Sequence, residues 1–215
     1  MKKSFYFLGV ILIACGLLFA ACEKDDNQNN NNSNDTTSTG TPTDTTGGGN
    51  NGNTTTFNEW TLDANGNVVA NGNGTLTING VEHCIGIAHL SEYTISGSSY
   101  AVLSIYDSYS INQSTYTYTP GNIIINLNFP TTHADAGSYA CGEGNDQVDV
   151  KVSINDTTYV FPNGLAFELS RTGNNISLSM SQDNVQGINV GGQVIATANI
   201  SFTYSGSTYH QSFNY

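Results

Sequence analysis

Five tyrosines, Tyr100, Tyr106, Tyr109, Tyr116 and Tyr118, fall within nineteen residues among Ser, Thr, Asn and Gln. A phenol ring beside hydroxyl and amide side chains can stack on a sugar ring and hydrogen-bond its hydroxyls, and tyrosine is equally an anchor at protein interfaces. Tyr109, Tyr116 and Tyr118 are therefore the candidate ligand-binding residues. The competing reading is cross-strand packing, because strands favour tyrosine whatever their role.

Groups for covalent or metal chemistry are sparser. The sequence holds no Gly-x-Ser-x-Gly elbow, no Ser-x-x-Lys pair and no His-Glu-x-x-His helix, so no catalytic residue is assigned and the chain reads as non-enzymatic. Glu82 and Glu168 would act as a glycosidase pair if a sheet brought them within about 10 Å; solvated or edge-protecting carboxylates are the simpler reading. His83 and His89 share a strand face but are ~20 Å apart at ~3.3 Å per residue, too far to share an ion. No Cys-x-x-Cys or His-x-x-x-His spacing recruits His133, His210 or the cysteines. Oxygen donors that suit calcium stand at Asp63, Asn65 and Asn67, and again at Glu143, Asn145, Asp146 and Asp149. A hairpin turn explains the first set, which lacks the downstream Glu of an EF-hand loop. No metal site and no cofactor are expected.

The beginning of the chain carries a different chemistry. Lys2 and Lys3 precede an apolar run from Phe5 to Leu18, which leads through Ala20-Ala21-Cys22 into Glu23-Lys24-Asp25-Asp26. A run this short, ending this way, reads as a secretion signal over 1–21 and not as a membrane span. Phe19-Ala20-Ala21-Cys22 resembles the lipobox cleaved by the lipoprotein signal peptidase, with Phe19 where that family usually has Leu. Leu12-Ile13-Ala14-Cys15 fits the residue pattern better, but cleavage there would leave Leu17, Leu18 and Phe19 exposed. The resemblance implies lipidation of Cys22, with enough acyl chains for stable anchoring. Lys24-Asp25-Asp26 in turn resembles the short acidic export signal of Bacteroidota lipoproteins, which implies the outer face of the outer membrane.

Residues 22–56 then read as the lipidated Cys and a disordered tether, since Asn27 to Thr56 is almost entirely Asn, Thr, Gly, Ser and Asp. Its r.m.s. span would be on the order of 30 Å. Asp35-Thr36-Thr37 and Asp44-Thr45-Thr46 resemble the Bacteroidota O-glycosylation sequon, as does Asp156-Thr157-Thr158 further on. A Thr-rich composition also generates such triplets.

The remaining 57–215 is long enough for one domain with a core. It holds twelve Asp and Glu against Lys151 and Arg171, which argues against nucleic acid or anionic lipid headgroups as partners. The membrane is a partner through the lipid anchor only. With Cys22 lipidated, Cys84 and Cys141 form an even pair in an oxidising compartment; a disulfide between them would contribute roughly 4 kcal/mol. Two separately buried thiols are the alternative.

Helix signals are nearly absent and the chain alternates instead. Val148, Val150, Val152 and Ile154 oppose Asp149, Lys151 and Ser153; Val194, Ala196, Ala198, Ile200, Phe202 and Tyr204 oppose Thr197, Asn199, Ser201 and Thr203. Shorter runs include Leu103/Ile105, Ile123 to Phe129, Phe167/Leu169 and Ile176/Leu178, with one strand expected over Val81 to Leu90. Asn65-Gly66, Asn71-Gly72, Asn79-Gly80, Asn163-Gly164 and Gly173-Asn174 are turn dipeptides. The pattern predicts an all-β antiparallel β-sandwich of about ten strands, with a lipocalin-like up-and-down barrel as the alternative.

Asn126-Leu127-Asn128-Phe129 with Ala136-Gly137-Ser138-Tyr139, and the late run Ile200 to Gly206, resemble elements of uncharacterised all-β Bacteroidota lipoproteins. That resemblance implies a shared scaffold and no activity. The functional expectation is a surface-exposed, non-enzymatic module binding glycan or protein; a carrier of an apolar ligand and a glycan-processing hydrolase are the alternatives.

Overall fold

A computed structural model describes residues 55–57, 59–95, 98–131, 134–144 and 146–214. The expected signal peptide, Cys22 and its rival Cys15, the tether to residue 54 and its two sequons lie outside the described residues, as do His133 and Asn145.

The described residues form strands and no helix. In chain order these are β1 (Thr55–Phe57), β2 (Trp60–Leu62), β3 (Gly72–Ile78), β4 (Val81–Ile85), β5 (Ile87–Ile95), β6 (Ser98–Tyr106), β7 (Tyr109–Asn112) and β8 (Thr117–Pro120). There follow β9 (Ile123–Phe129), β10 (Gly137–Ala140), β11 (Asp149–Ile154), β12 (Thr157–Val160), β13 (Ala166–Thr172), β14 (Asn175–Ile188), β15 (Val194–Ser207) and β16 (Tyr209–Asn214). Alternation decides the faces: along β9 every second residue from Ile123 to Phe129 is buried, and its neighbours are half-buried.

The main sheet runs β16-β5-β6-β9-β11-β12-β14-β15-β3-β4, with β13 also on β14 and β10 on β13. The two 14-residue strands are its spine. On its other side β14 takes β13 at Asn175–Ser179 and β12 at Gln186–Ile188, so two short strands share one long edge. The sheet curls until each end strand is one residue of chain from a strand of the opposite flank: Gly86 joins β4 to β5, and Thr208 joins β15 to β16. Leu76 and Ile85 from one flank then meet Leu103, Ile105, Ile125, Leu127, Phe202 and Tyr204 in one core. Full burial of such a Leu, Ile or Phe stabilises by about 1.5–3 kcal/mol.

The expected all-β class is what the chain forms, as a curled mixed sheet. It is not an up-and-down meander, because β15 pairs with β3, and β16 lies parallel to β5. The single strand expected over Val81 to Leu90 is two. Gly86 breaks it, its N–H donating to the Tyr106 carbonyl and its carbonyl accepting from Asn71 and Gly72. Ile85 therefore enters the main core and Ile87 a second cluster.

Asn79-Gly80 forms the expected two-residue hairpin, with φ of 50° and 83° and Ile78 paired to Val81. Asn71-Gly72 does not turn. The Asn71 amide instead mimics a strand, donating to the Ala88 carbonyl and accepting from the Ala88 N–H at 2.8 Å each. Gly72 pairs with Gly206 beneath the buried Tyr204 ring. A Cβ on Gly206 would collide with Gly72 Cα and meet the Asn71 carbonyl oxygen at 2.6 Å, backbone atoms that cannot swing aside. Gly206→Ala is expected to cost about 2–3 kcal/mol in urea unfolding at unchanged m-value, the usual range for an overpacked core.

Candidate functional site

Strand β5 is covered on both faces. Ala88 and Leu90 point into the main core, while Ile87 and His89 point outward under β2. Trp60 of β2 is the centre of that outer cluster. Its ring stacks on His89 at 4.5 Å and on Tyr109 at 5.0 Å, and meets Tyr209 tilted at 4.9 Å. Leu62, Val68, Ile87 and Ile111 fill the space around it. The Tyr209 hydroxyl donates to the Val69 carbonyl at 2.8 Å. Burial pushes the Tyr109 phenol up to about 12, with Tyr106 and Tyr118 nearby adding to the shift.

His89 is held at both nitrogens, Nδ1 lying 3.2 Å from Ser91 Oγ and Nε2 3.2 Å from Glu59 Oε1. Burial lowers its pKa from 6.5, although Glu59 pulls the other way. A Ser–His–Glu chain has the composition of a hydrolytic triad. Ser91 is only 7% exposed, however, which leaves a substrate carbonyl no approach to its oxygen. The chain of bonds holds the imidazole as a packed ring under Trp60, and burial favours its neutral form.

On top of this cluster, the Asp63–Asn67 turn and the β7–β8 hairpin enclose an open cleft of about 800 Å³. Asp63 and Asn65 line one wall, and Asn112, Thr115, Thr117 and Thr119 the other. The first wall is a self-satisfied turn: Asp63 Oδ1 accepts the Asn65 and Asn67 N–H groups at 2.8 Å, Oδ2 accepts the Asn67 side-chain amide at 3.0 Å, and Gly66 sits at φ 81°. The second is a hairpin in which Asn112 pairs with Thr117 and Ser110 with Thr119, so these four share the cleft face. Asn112 Oδ1 caps the turn by accepting from the Ser114 and Thr115 N–H groups, and the Thr115 and Thr117 hydroxyls lie 2.9 Å apart. The Gly66 carbonyl accepts the Ile111 N–H at 2.9 Å and ties the walls together.

The three candidate tyrosines are divided among different roles. Tyr109 packs under Trp60. Tyr118 pairs with Ile111 on the hairpin face opposite the cleft and is 44% exposed. Tyr116, 68% exposed and at φ 54°, stands at the hairpin tip between the lining residues Thr115 and Thr117. Elsewhere, Tyr93 stacks between Tyr100 and Phe213 at 4.6 and 4.8 Å.

Other expected sites are not assembled. Glu82 lies on edge strand β4 and Glu168 on β13, four strand spacings away across β14, β15 and β3, roughly 19 Å. Both are exposed, and the Ser138 hydroxyl donates to Glu168. That hydrolase pair is therefore not formed. The Cys84–Cys141 disulfide is not formed either, since Cys141 is a free thiol buried in the main core while Cys84 is on the exposed face of β4. Burial pushes the Cys141 thiol up to about 11. Of the oxygen donors near Cys141, Asp149 pairs with Lys151 at 2.5 Å. Among the described residues no group of three or more His, Cys, Asp and Glu is placed to hold a metal ion. Asp156 sits in the exposed Asn155-Asp156 turn, while the Thr158 hydroxyl lies 3.0 Å from that of Ser153.

One polar group in the main core escaped the sequence reading. Glu92 is 7% exposed on the core side of β5; Oε1 lies 3.2 Å from Arg171 Nη1 and Oε2 2.9 Å from His210 Nε2. The signal for it was composition: Arg171 is the chain's single arginine, and so scarce a cation is well used beside a buried acid.

Fold and site together define an all-β domain with a polar surface cleft backed by an aromatic stack. Set against known proteins, the chain matches no family model, no curated protein and no solved structure.

Proposed function

We propose that the chain is a lipid-anchored lipoprotein of the outer membrane, facing outward, whose all-β domain is a non-enzymatic module that binds glycan or protein. The observation that carries the reading is the cleft: about 800 Å³, walled by hydroxyl and amide side chains and backed by the Trp60 stack. A concave site on a rigid support loses little entropy when it takes a ligand. The anchor rests on Phe19-Ala20-Ala21-Cys22, and the outward orientation on Lys24-Asp25-Asp26. Intact cells displaying the protein should be retained on panels of immobilised glycans or proteins, and protease shaving of those cells should abolish retention and release domain peptides. Mass spectrometry should find an acylated Cys22 peptide left behind. Retention on neither panel removes the binding role, and an unmodified Cys22 removes the anchor.

A further inference from the structure

Given that binding-module reading, on which the inference rests, we infer that the cleft's ligand is a neutral, hydroxyl-rich chain: a glycan without sulfate, phosphate or uronate. An anion has nothing to meet it. The only cations among residues 57–215 apart from histidine are Lys151 and Arg171, which are engaged with Asp149 and Glu92, and the single ionised group in the cleft is the carboxylate of Asp63. A metal cation fares no better, because both Asp63 oxygens already accept N–H bonds from their own turn. An apolar ligand or a protein hot spot would need an apolar centre. The cleft offers only Ala64 and Ile111, and the Ile111 side chain is buried in the cluster behind.

What the cleft does offer is a ladder of neutral donors and acceptors. Ser110, Asn112, Thr117 and Thr119 share one hairpin face, spaced ~7 Å along each strand and ~5 Å across. Asn112 spends its carbonyl oxygen on the turn, which leaves its NH₂ group as donors. Asn65 presents a second amide from the opposite wall. Such groups exchange water for sugar hydroxyls at little desolvation cost, whereas an apolar or charged ligand would leave them unpaired. Tyr116, 68% exposed at the hairpin tip between the lining residues Thr115 and Thr117, adds an exposed aromatic residue next to the cleft wall. It is held there by a left-handed backbone that non-glycine residues seldom adopt, and strain of this kind is tolerated where the surrounding structure fixes it.

The test uses the mature lipidated protein in detergent micelles on an array of neutral, sulfated and uronate-bearing glycans, beside the protein panel. Thr117→Val/Thr119→Val removes two hydroxyls from exposed strand positions that suit valine, and Tyr116→Asn removes the ring while keeping a residue at ease at positive φ. Neutral glycans should bind, with little change between 50 and 500 mM salt. Each variant should weaken them at least tenfold at unchanged Tm. Exclusive binding of acidic glycans, or neutral binding indifferent to both variants, overturns the ligand class or the place and leaves the module reading intact. Retention on the protein panel alone does the same. Retention on neither surface ends both.

Discussion

Arg171→Ala is expected to lower the unfolding free energy by about 3 kcal/mol, the low end of the range for removing one member of a buried ion pair. Glu92 cannot follow its partner out. Its carboxylate is 7% exposed and faces the main core, where the Arg171 guanidinium satisfies one oxygen and His210 the other. The guanidinium also donates to the Ala134 carbonyl at 2.9 Å and the Gly173 carbonyl at 3.0 Å, so truncation strips partners from two backbone groups as well. Arg171 is 17% exposed, and that residual solvation is why the low end is chosen. The bonds span 79 and 118 residues of sequence, joining β5 to β13 and to β16 where the curled sheet meets itself. Replacing both partners, as in Glu92→Leu/Arg171→Leu, should cost clearly less than Arg171→Ala alone, because the price of a lone buried charge disappears. Urea titration of the two proteins decides it: a loss under 1 kcal/mol for Arg171→Ala would mean that water already serves Glu92.

Strands with one face in the core and one outside were legible in the sequence. In β9, β11 and the later part of β15 the alternation gives the buried face residue by residue. Strand β5 was not, because both of its faces are covered and the inward Ala88, Leu90 and Glu92 include a charge. Nothing local announces that β16 runs parallel to β5; that direction follows from the crossing at Thr208, whose N–H and hydroxyl both bond the Asn174 carbonyl. Gly86 was the readable sign of the break between β4 and β5, but a lone glycine inside an apolar run also fits a bulge.

The candidate site divides in the same way. Residue types near Tyr109 to Tyr118 singled out a segment that folds as the β7–β8 hairpin, one wall of the cleft, but none of the three candidate tyrosines is among the residues that line it. Which tyrosines remain accessible depended on Trp60, 49 residues earlier in the chain and just beyond the polar tract. The opposite wall, Asp63 to Gly66, read only as a turn. The disulfide assignment failed because cysteine parity says nothing about faces: Cys84 is on an exposed sheet edge and Cys141 is in the core.

Trp60→Ala is the second large effect expected, and it should be local. A Trp→Ala truncation costs about 3–5 kcal/mol where the ring is buried, and Trp60 is 5% exposed. Its ring is the shared partner of His89, Tyr109 and Tyr209, so its loss unpins β2 and the hairpin that forms the cleft wall. The main core does not include Trp60, and β9 and β11 keep all their neighbours. Hydrogen exchange should therefore show lost protection in β2, β7 and β8 with β9 and β11 unchanged, and glycan binding should fall with the hairpin. The variant also changes the response to acid. Folded wild-type His89 has a pKa below 6.5, so as the pH falls through 6.5 the unfolded chain takes the proton first and stability is lost. Without the indole the ring regains water, its pKa rises toward the unfolded value, and that part of the acid sensitivity disappears. An NMR titration of the His89 ring beside urea unfolding at pH 5 and 7 measures both effects. Undiminished protection of β7 and β8 in Trp60→Ala would show that the stack is not what holds the cleft wall.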